Sequence, residues 1–294
     1  MSAPDIAAEI VPAHRASADV PQGLGIVRWL VTFMLVVIAV AALYPLLFTI
    51  INSFKTRTGF AENPLGLPLE ITFDNYLDTF VRMDVLRLLM NSIITTAGGL
   101  LLSTVAALFI AYAVTKLRLK GGNLIFLFVI AMLVIPSQVV IYPLYETILN
   151  LGFGGTYQGL ILAYAAFGLP ISTYMLAAYF RAIPDELIEA ARLDGAGDMR
   201  VLFQIMLPIS TPAIAALSIL NFVWMWNDLL LPLVIMGGSD KTTLMVGIAL
   251  LSGQYDVSIP LISAGLIIAL LPVMIVYLLF QRQILSGAVA GAVR

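Results

Sequence analysis

Long apolar runs alternate with short polar stretches along most of this chain. Six runs stand out, at residues 26–50, 88–114, 122–145, 157–180, 209–236 and 260–280. Each is long enough to cross about 30 Å of hydrocarbon as a helix. Lipid offers no partners for free backbone N–H and C=O groups, so helices are the default; barrel strands would be shorter and would alternate. The expected fold class is all-α: a polytopic membrane protein of six transmembrane helices. Residues 1–25 are rich in Ala, Pro, Ser, Asp and Glu and contain no apolar run. They read as a disordered tail rather than a signal peptide, which needs a basic start and an apolar stretch.

Lys and Arg set the orientation. With the N-terminus inside, Arg15, Arg28, Lys116, Arg118, Lys120, Arg181, Arg192, Arg200, Arg282 and Arg294 fall in the cytoplasm, against Lys55, Arg57, Arg82, Arg87 and Lys241 outside. This excess places both termini in the cytoplasm. The KLRLKGG turn at 116–122 is its clearest anchor. Pro45, Pro136, Pro143, Pro170 and Pro272 each remove a helix hydrogen bond and mark expected kinks, those near Pro136 and Pro143 shaping a cavity. Gly98-Gly99 in the second run lets another helix approach closely.

Composition narrows the chemistry. The chain is 61% hydrophobic and 11% charged, a balance of the membrane class. It has no cysteine, and its one histidine, His14, lies in the polar tail. Disulfides, thiolate chemistry, a transition-metal site and a histidine-based triad are thereby disfavoured, so neither catalytic nor metal-ligating residues are expected. A net charge of −2 gives no basic surface for nucleic acid. GGSDKTT at 237–243 is not a phosphate loop, because Asp240 stands where a glycine should precede the lysine. The chain therefore carries no expected ATP site.

One polar segment differs from its surroundings: RAIPDELIEAARLDGAGDMRVLFQIMLPISTPAI, residues 181–214. Pro184 and Asp185 suit a helix start, Pro in the first turn and an acid at the positive end of the dipole. Leu187, Ala190, Ala191 and Asp194 recur at helical spacing as a mostly small, apolar face. Gly195 and Gly197 break the helix, and a second short one is predicted from Arg200 to Met206, ending at Leu207-Pro208. Such a helix-turn-helix outside the membrane suits docking to another protein; a structural inter-helix loop is the other reading.

EAARLDGAGDMRVLFQIMLPISTP, Glu189 to Pro212, resembles the EAA motif of permease subunits of binding-protein-dependent ABC importers. FVWMWNDLLLPL at 222–233, IPSQVVIYPLY at 135–145 and FQRQILSGAVAGAVR at 280–294 resemble motifs of the carbohydrate branch, the last resembling the tail of the maltose-type second permease. The resemblance implies a type I ABC importer permease fold in a bacterial or archaeal inner membrane. It implies a second permease as heterodimer partner, a dimer of ATPase subunits beneath, and an external solute-binding protein. No cofactor would bind this chain; ATP and Mg would bind the partner ATPases. By the same resemblance Glu189, Ala190, Ala191, Asp194, Gly195 and Ala196 would form the ATPase-coupling element, Glu189 making a polar contact. The implied organisation is a cytoplasmic tail at 1–25, a permease domain at 26–285 with the coupling loop at 181–208, and a tail at 286–294 that reaches the ATPases.

The solute pathway is sought in the fifth run, where Asn221, Trp224, Trp226, Asn227 and Asp228 crowd together. Polar groups at membrane depth are expensive and face cavities or other helices. Aromatic faces beside amide and carboxylate groups suit a sugar ring. The competing reading is that Trp marks the membrane interface and Asn-Asp caps or joins helices. Asn221 is expected to face the cavity. Gln138 and Tyr142, with Ser137, Tyr164, Ser172 and Thr173, are further candidates. The expected function is import of a sugar or sugar-like solute driven by partner ATPases; the alternative is an ion-coupled secondary transporter or channel, which would favour intramembrane carboxylates or an internal repeat.

Overall fold

The computed structural model describes residues 24–251 and 258–292, with side chains described for 27–251 and 258–281. The expectations for the tail at 1–25 and for side chains of 286–294 lie outside these, except that the last helix continues to Ala292. All regular structure among the described residues is helical. Among the described residues, those up to Phe48 form one unit, the greater part of helix α1 (Leu24–Ser53). Residues from Thr49 onward form the other.

That second unit holds α2 (Arg57–Glu62), α3 (Asp74–Met83), α4 (Val85–Thr115), α5 (Gly122–Ala131), α6 (Ser137–Asn150) and α7 (Tyr157–Ala182). Then come α8 (Asp185–Leu193), α9 (Asp198–Val201), α10 (Leu207–Ile209) and α11 (Thr211–Asn227). It closes with α12 (Leu230–Met236), α13 (Leu244–Leu250) and α14 (Ile259–Ala292). Among the described residues, four helices are long and apolar enough to span a membrane alone, and up to six spans result if each of two bent pairs counts as one.

The bends fall where proline chemistry is strongest. Ile135 is extended, as a residue before proline prefers, and Pro136 heads α6. The chain turns by 110° there, so the run at 122–145 is broken at Pro136 rather than a continuous helix. Pro45, Pro143, Pro170 and Pro272 stay inside their helices. The Thr147 hydroxyl donates to the Pro143 carbonyl at 2.7 Å. The second bend, 73°, lies at Ser210 between Pro208 and Pro212. Pro212 has no N–H to give the Pro208 carbonyl, and the Thr211 hydroxyl donates to it instead at 2.9 Å. Just upstream the ladder widens into a π turn over Leu202–Met206, joining α9 to α10. The expected fifth run at 209–236 is thus divided at Ser210 and again at Asp228-Leu229.

The structural spine is the pair α4–α7. Gly99, Ser103, Ala107 and Ala111 recur every fourth residue of α4 and are all buried. A β-carbon added to Gly99 would lie 2.5 Å from Tyr164 Cβ, and one at Gly98 2.7 Å from Ile161 Cδ1. Without a hydrophobic driving force between helices in lipid, small residues allow the close backbone approach that packing requires. Polar clamps close the end opposite α8. The Tyr157 hydroxyl donates to Asn91 Oδ1 at 2.6 Å, and Asn91 Nδ2 donates to the Thr242 carbonyl at 2.9 Å. Leu244 N donates to Ser92 Oγ at 2.9 Å. The GGSDKTT segment is therefore pinned across α4 and α7.

Gly99→Leu is expected to force α4 from α7 and cost about 1–3 kcal/mol by overpacking. A thermal unfolding series of the detergent-solubilised protein should show a lowered midpoint, while Ala97→Leu, on the exposed side of the same helix, leaves it near wild type.

Candidate functional site

The polar segment folds as a helix, a tight turn and a second helix, and each motif residue has a local reason for its identity. Pro184 precedes α8, and Asp185 and Glu186 occupy its first turn. The helix ends in a Schellman arrangement: Ala196 N donates to the Ala191 carbonyl at 2.9 Å and Gly195 N to the Arg192 carbonyl at 3.0 Å. Gly195 sits at φ +81°, a left-handed conformation that costs other residues about 1–2 kcal/mol. Ala191 and Ala196, which the turn brings together, pack partly buried against the core beneath. Across the mouth of the turn Arg192 and Asp198 form an exposed ion pair at 2.9 Å.

The six residues expected to form the coupling element therefore do not share one face. Glu189, Ala190, Asp194 and Gly195 are exposed, whereas Ala191 and Ala196 serve the protein's own packing. The expected face of Leu187, Ala190, Ala191 and Asp194 is divided accordingly, because Ile188 rather than Leu187 is the buried anchor of α8. The second helix begins at Asp198, two residues before the expected Arg200. Leu193, 90% exposed, and Met199 flank the turn as apolar groups. Such exposed apolar residues ringed by charge mark interaction surfaces.

Beneath this turn, Ile188, Val201, Leu202 and Met206 join Ala107, Leu108, Ala111 and Tyr112 of α4 and Leu176, Ala177 and Phe180 of α7 in a single core. A charged clamp reinforces it. Lys116 Nζ, just past α4, donates to the Ile183 carbonyl at 2.6 Å and to Asp185 Oδ1 at 2.7 Å. Arg118 donates to Asp185 Oδ2 at 2.7 Å. The Lys116 side chain is only 4% exposed. The hydrogen bond and charge of Lys116, then Arg118, hold the Asp185 carboxyl below its ordinary range. Local sequence marks Asp185 only as a helix start, since Lys116 lies 69 residues away.

The solute candidates fall into three places. Asn221 is buried, its Nδ2 donating to Ser172 Oγ at 2.8 Å, and so joins α11 to α7 rather than facing a cavity. Trp224 is 39% exposed, with its ring edge-on to Tyr164 at 5.8 Å and tilted against Phe167 at 6.1 Å. Asn227 is exposed at the end of α11, its Nδ2 donating to the Val223 carbonyl. Asp228 accepts hydrogen bonds from Leu230 N and Leu231 N, so its carboxylate caps α12 and joins two helices. Gln138 and Tyr142 lie one turn apart on the exposed side of α6, while Ile141, Leu144 and Ile148 face the core. Trp226 is buried, donating to the Ala269 carbonyl and stacked on Phe222. Sequence reasoning overlooked Phe167, whose aromatic neighbour is supplied by another helix.

A family model described as binding-protein-dependent transport system inner membrane component matches residues 99–287, the stretch that holds both the turn and the α11 cluster. The chain belongs to this family. As an inner membrane transport component it is similar to the diacetylchitobiose uptake system permease protein NgcG of Streptomyces coelicolor, 34% identical and covering 89% of this chain and 87% of that one. It also resembles the arabinooligosaccharides transport system permease protein AraQ of Halalkalibacterium halodurans, at 32% identity over 92% and 97% of the two chains. In fold it matches a chain of a bacterial ABC transporter that imports the acidic polysaccharide alginate, with a TM-score of 0.78, 22% identity and coverage of 89% and 97%. No group of three or more His, Cys, Asp or Glu positioned for a metal occurs among the described residues.

The clamp gives the permease a defined acid response. A lowered carboxyl value means the Asp185 contribution is complete above the ordinary value of about 3.9 and is lost only as pH falls through the lower folded one. Amide exchange over residues 185–193 should therefore stay slow from neutral pH to about pH 5. Asp185→Asn should exchange faster across that whole range; equal protection in the variant would show that the clamp does not hold α8.

Proposed function

We propose that this permease forms half of the membrane pathway of an ATP-binding-cassette importer for an oligosaccharide or similar sugar, with the exposed turn at Glu189–Gly195 as its coupling surface. The observation that carries the coupling reading is the clamp of Asp185 to Lys116 and Arg118, which fastens α8 to the end of α4. A push on the turn from an ATPase subunit moves α8, and the shared core and clamp pass it to α4 and α7 together. Glu189 and Asp194 offer charge to the ATPase, Leu193 and Met199 offer apolar contact, and Gly195 leaves room for close approach. ATP and Mg act in the partner subunits, and this chain contributes no catalytic group. A second permease completes the pathway, and an external binding protein delivers the solute.

The sugar assignment draws on relatives named for uptake of diacetylchitobiose, arabinooligosaccharides and trehalose. Trp224, held by Tyr164 and Phe167, is the part of this chain best suited to a sugar ring, with Asn227 nearby in sequence for hydroxyl contact. Gln138 and Tyr142 on α6 belong to the proposed pathway as polar lining, while Asn221 and Asp228 act from behind by fixing α11 against α7 and α12.

Gly195→Asn separates docking from folding. Asn tolerates the left-handed conformation, and a β-carbon there meets nothing within 4 Å in this protein. The variant should keep its own thermal midpoint yet lose the ATPase subunits on affinity purification; their undiminished recovery would remove the turn from the coupling role. In reconstituted transporters Trp224→Ala should slow uptake of the cognate sugar about fivefold to tenfold, the scale of one lost aromatic contact, with ATPase recovery unchanged.

A further inference from the structure

Where α4 ends, α5 begins and α7 ends, on the same side as α8, a cavity of about 400 Å³ opens. Arg118, Arg181, Thr115 and Asn123 give it polar walls, and Leu119 and Leu124 give it apolar ones. Its charge is positive on balance. Arg118 shares the single Asp185 carboxylate with Lys116. Arg181 has no carboxylate partner among the described residues; its guanidinium lies over the Phe126 ring at 4.7 Å.

One guanidinium is thus paired with a carboxylate and the other lies over an aromatic face. Their planar forks match the oxygens of a phosphate group. The cavity stands where the apolar sequence of α4 and α7 gives out and that of α5 starts, the level of lipid headgroups. Leu124, Leu127 and Phe128, all more than 60% exposed, continue from it along α5 as a surface suited to acyl chains. A free phosphate ion has no use for that apolar continuation. We propose that this cavity binds the phosphodiester of an anionic phospholipid in the cytoplasmic leaflet, gripped by Arg118 and Arg181. The lipid would sit beside the Lys116–Asp185 clamp, coupling the permease's mechanical joint to the charge of the surrounding membrane.

The test is lipid retention by the whole transporter, purified with its partner permease and ATPases and placed in nanodiscs of mixed phosphatidylglycerol and phosphatidylcholine, read by native mass spectrometry. Wild type should retain phosphatidylglycerol selectively. Arg181→Gln should retain it about fivefold less, the effect of one cation near an anionic surface, and Arg181→Lys should restore part of it. Leu124→Glu, at an exposed position of the cavity wall, should also reduce retention, whereas Lys120→Gln, exposed and outside the cavity lining, should not. Equal retention in Arg181→Gln and Leu124→Glu, or equal retention of phosphatidylcholine, would overturn the proposal. Displacement of the lipid by millimolar inorganic phosphate would overturn it too, by marking a site for free anions. Retention needs neither ATP nor solute, so its failure is distinct from failure of the importer reading.

Discussion

Close backbone contact between α4 and α7 is the constraint on which the other features rest. In lipid, apolar side chains gain nothing by leaving their surroundings for one another, so a helix pair is held by packing at short range and by hydrogen bonds. Gly99, Ser103, Ala107 and Ala111 supply a narrow stripe at four-residue spacing, and Tyr164, Gly168 and Ala177 answer from α7. The same two helices then carry specialised groups at each end: Asn91 and Tyr157 at one, Lys116 and the Ile183 carbonyl at the other. A displacement at one end has no soft layer in which to dissipate.

The exposed turn proposed for coupling gains its stiffness from that arrangement. Its helices are too short to be stable alone, as isolated helices of under about 12 residues are marginal in water. Burial of Ile188, Val201 and Met206 on α4 and α7, the Schellman closure at Gly195 and the clamp at Asp185 supply the missing order. The small residues of the motif divide the labour: Ala191 and Ala196 close the turn on its own core, while Ala190 and Gly195 leave the outer surface low.

The α11 cluster, the proposed solute side, is organised by different rules. Asn221, Asp228 and Trp226 spend their polar groups inside the protein, on Ser172, on the start of α12 and on Ala269. A membrane interior makes unmet hydrogen bonds costly, so polar groups in a span are first claimed by neighbouring helices. Within this cluster Trp224 is left both braced and accessible.

Local sequence alone determined the all-helical class, the positions of six apolar runs, the helix starting at Pro184-Asp185 and the break at Gly195, because these follow from nearest-neighbour chemistry: lipid transfer, proline's missing N–H and glycine's left-handed freedom. The motif at 189–212 carried the family likeness for the same reason, being a continuous stretch with tight local geometry. Tertiary structure alone decided that Ala191 faces inward while Ala190 faces out, that Asn221 is a helix tie, and that Lys116 and Arg118 meet Asp185. Each of these depends on which helix lies opposite, and partners 49 or 69 residues away leave no periodic trace in the sequence between them.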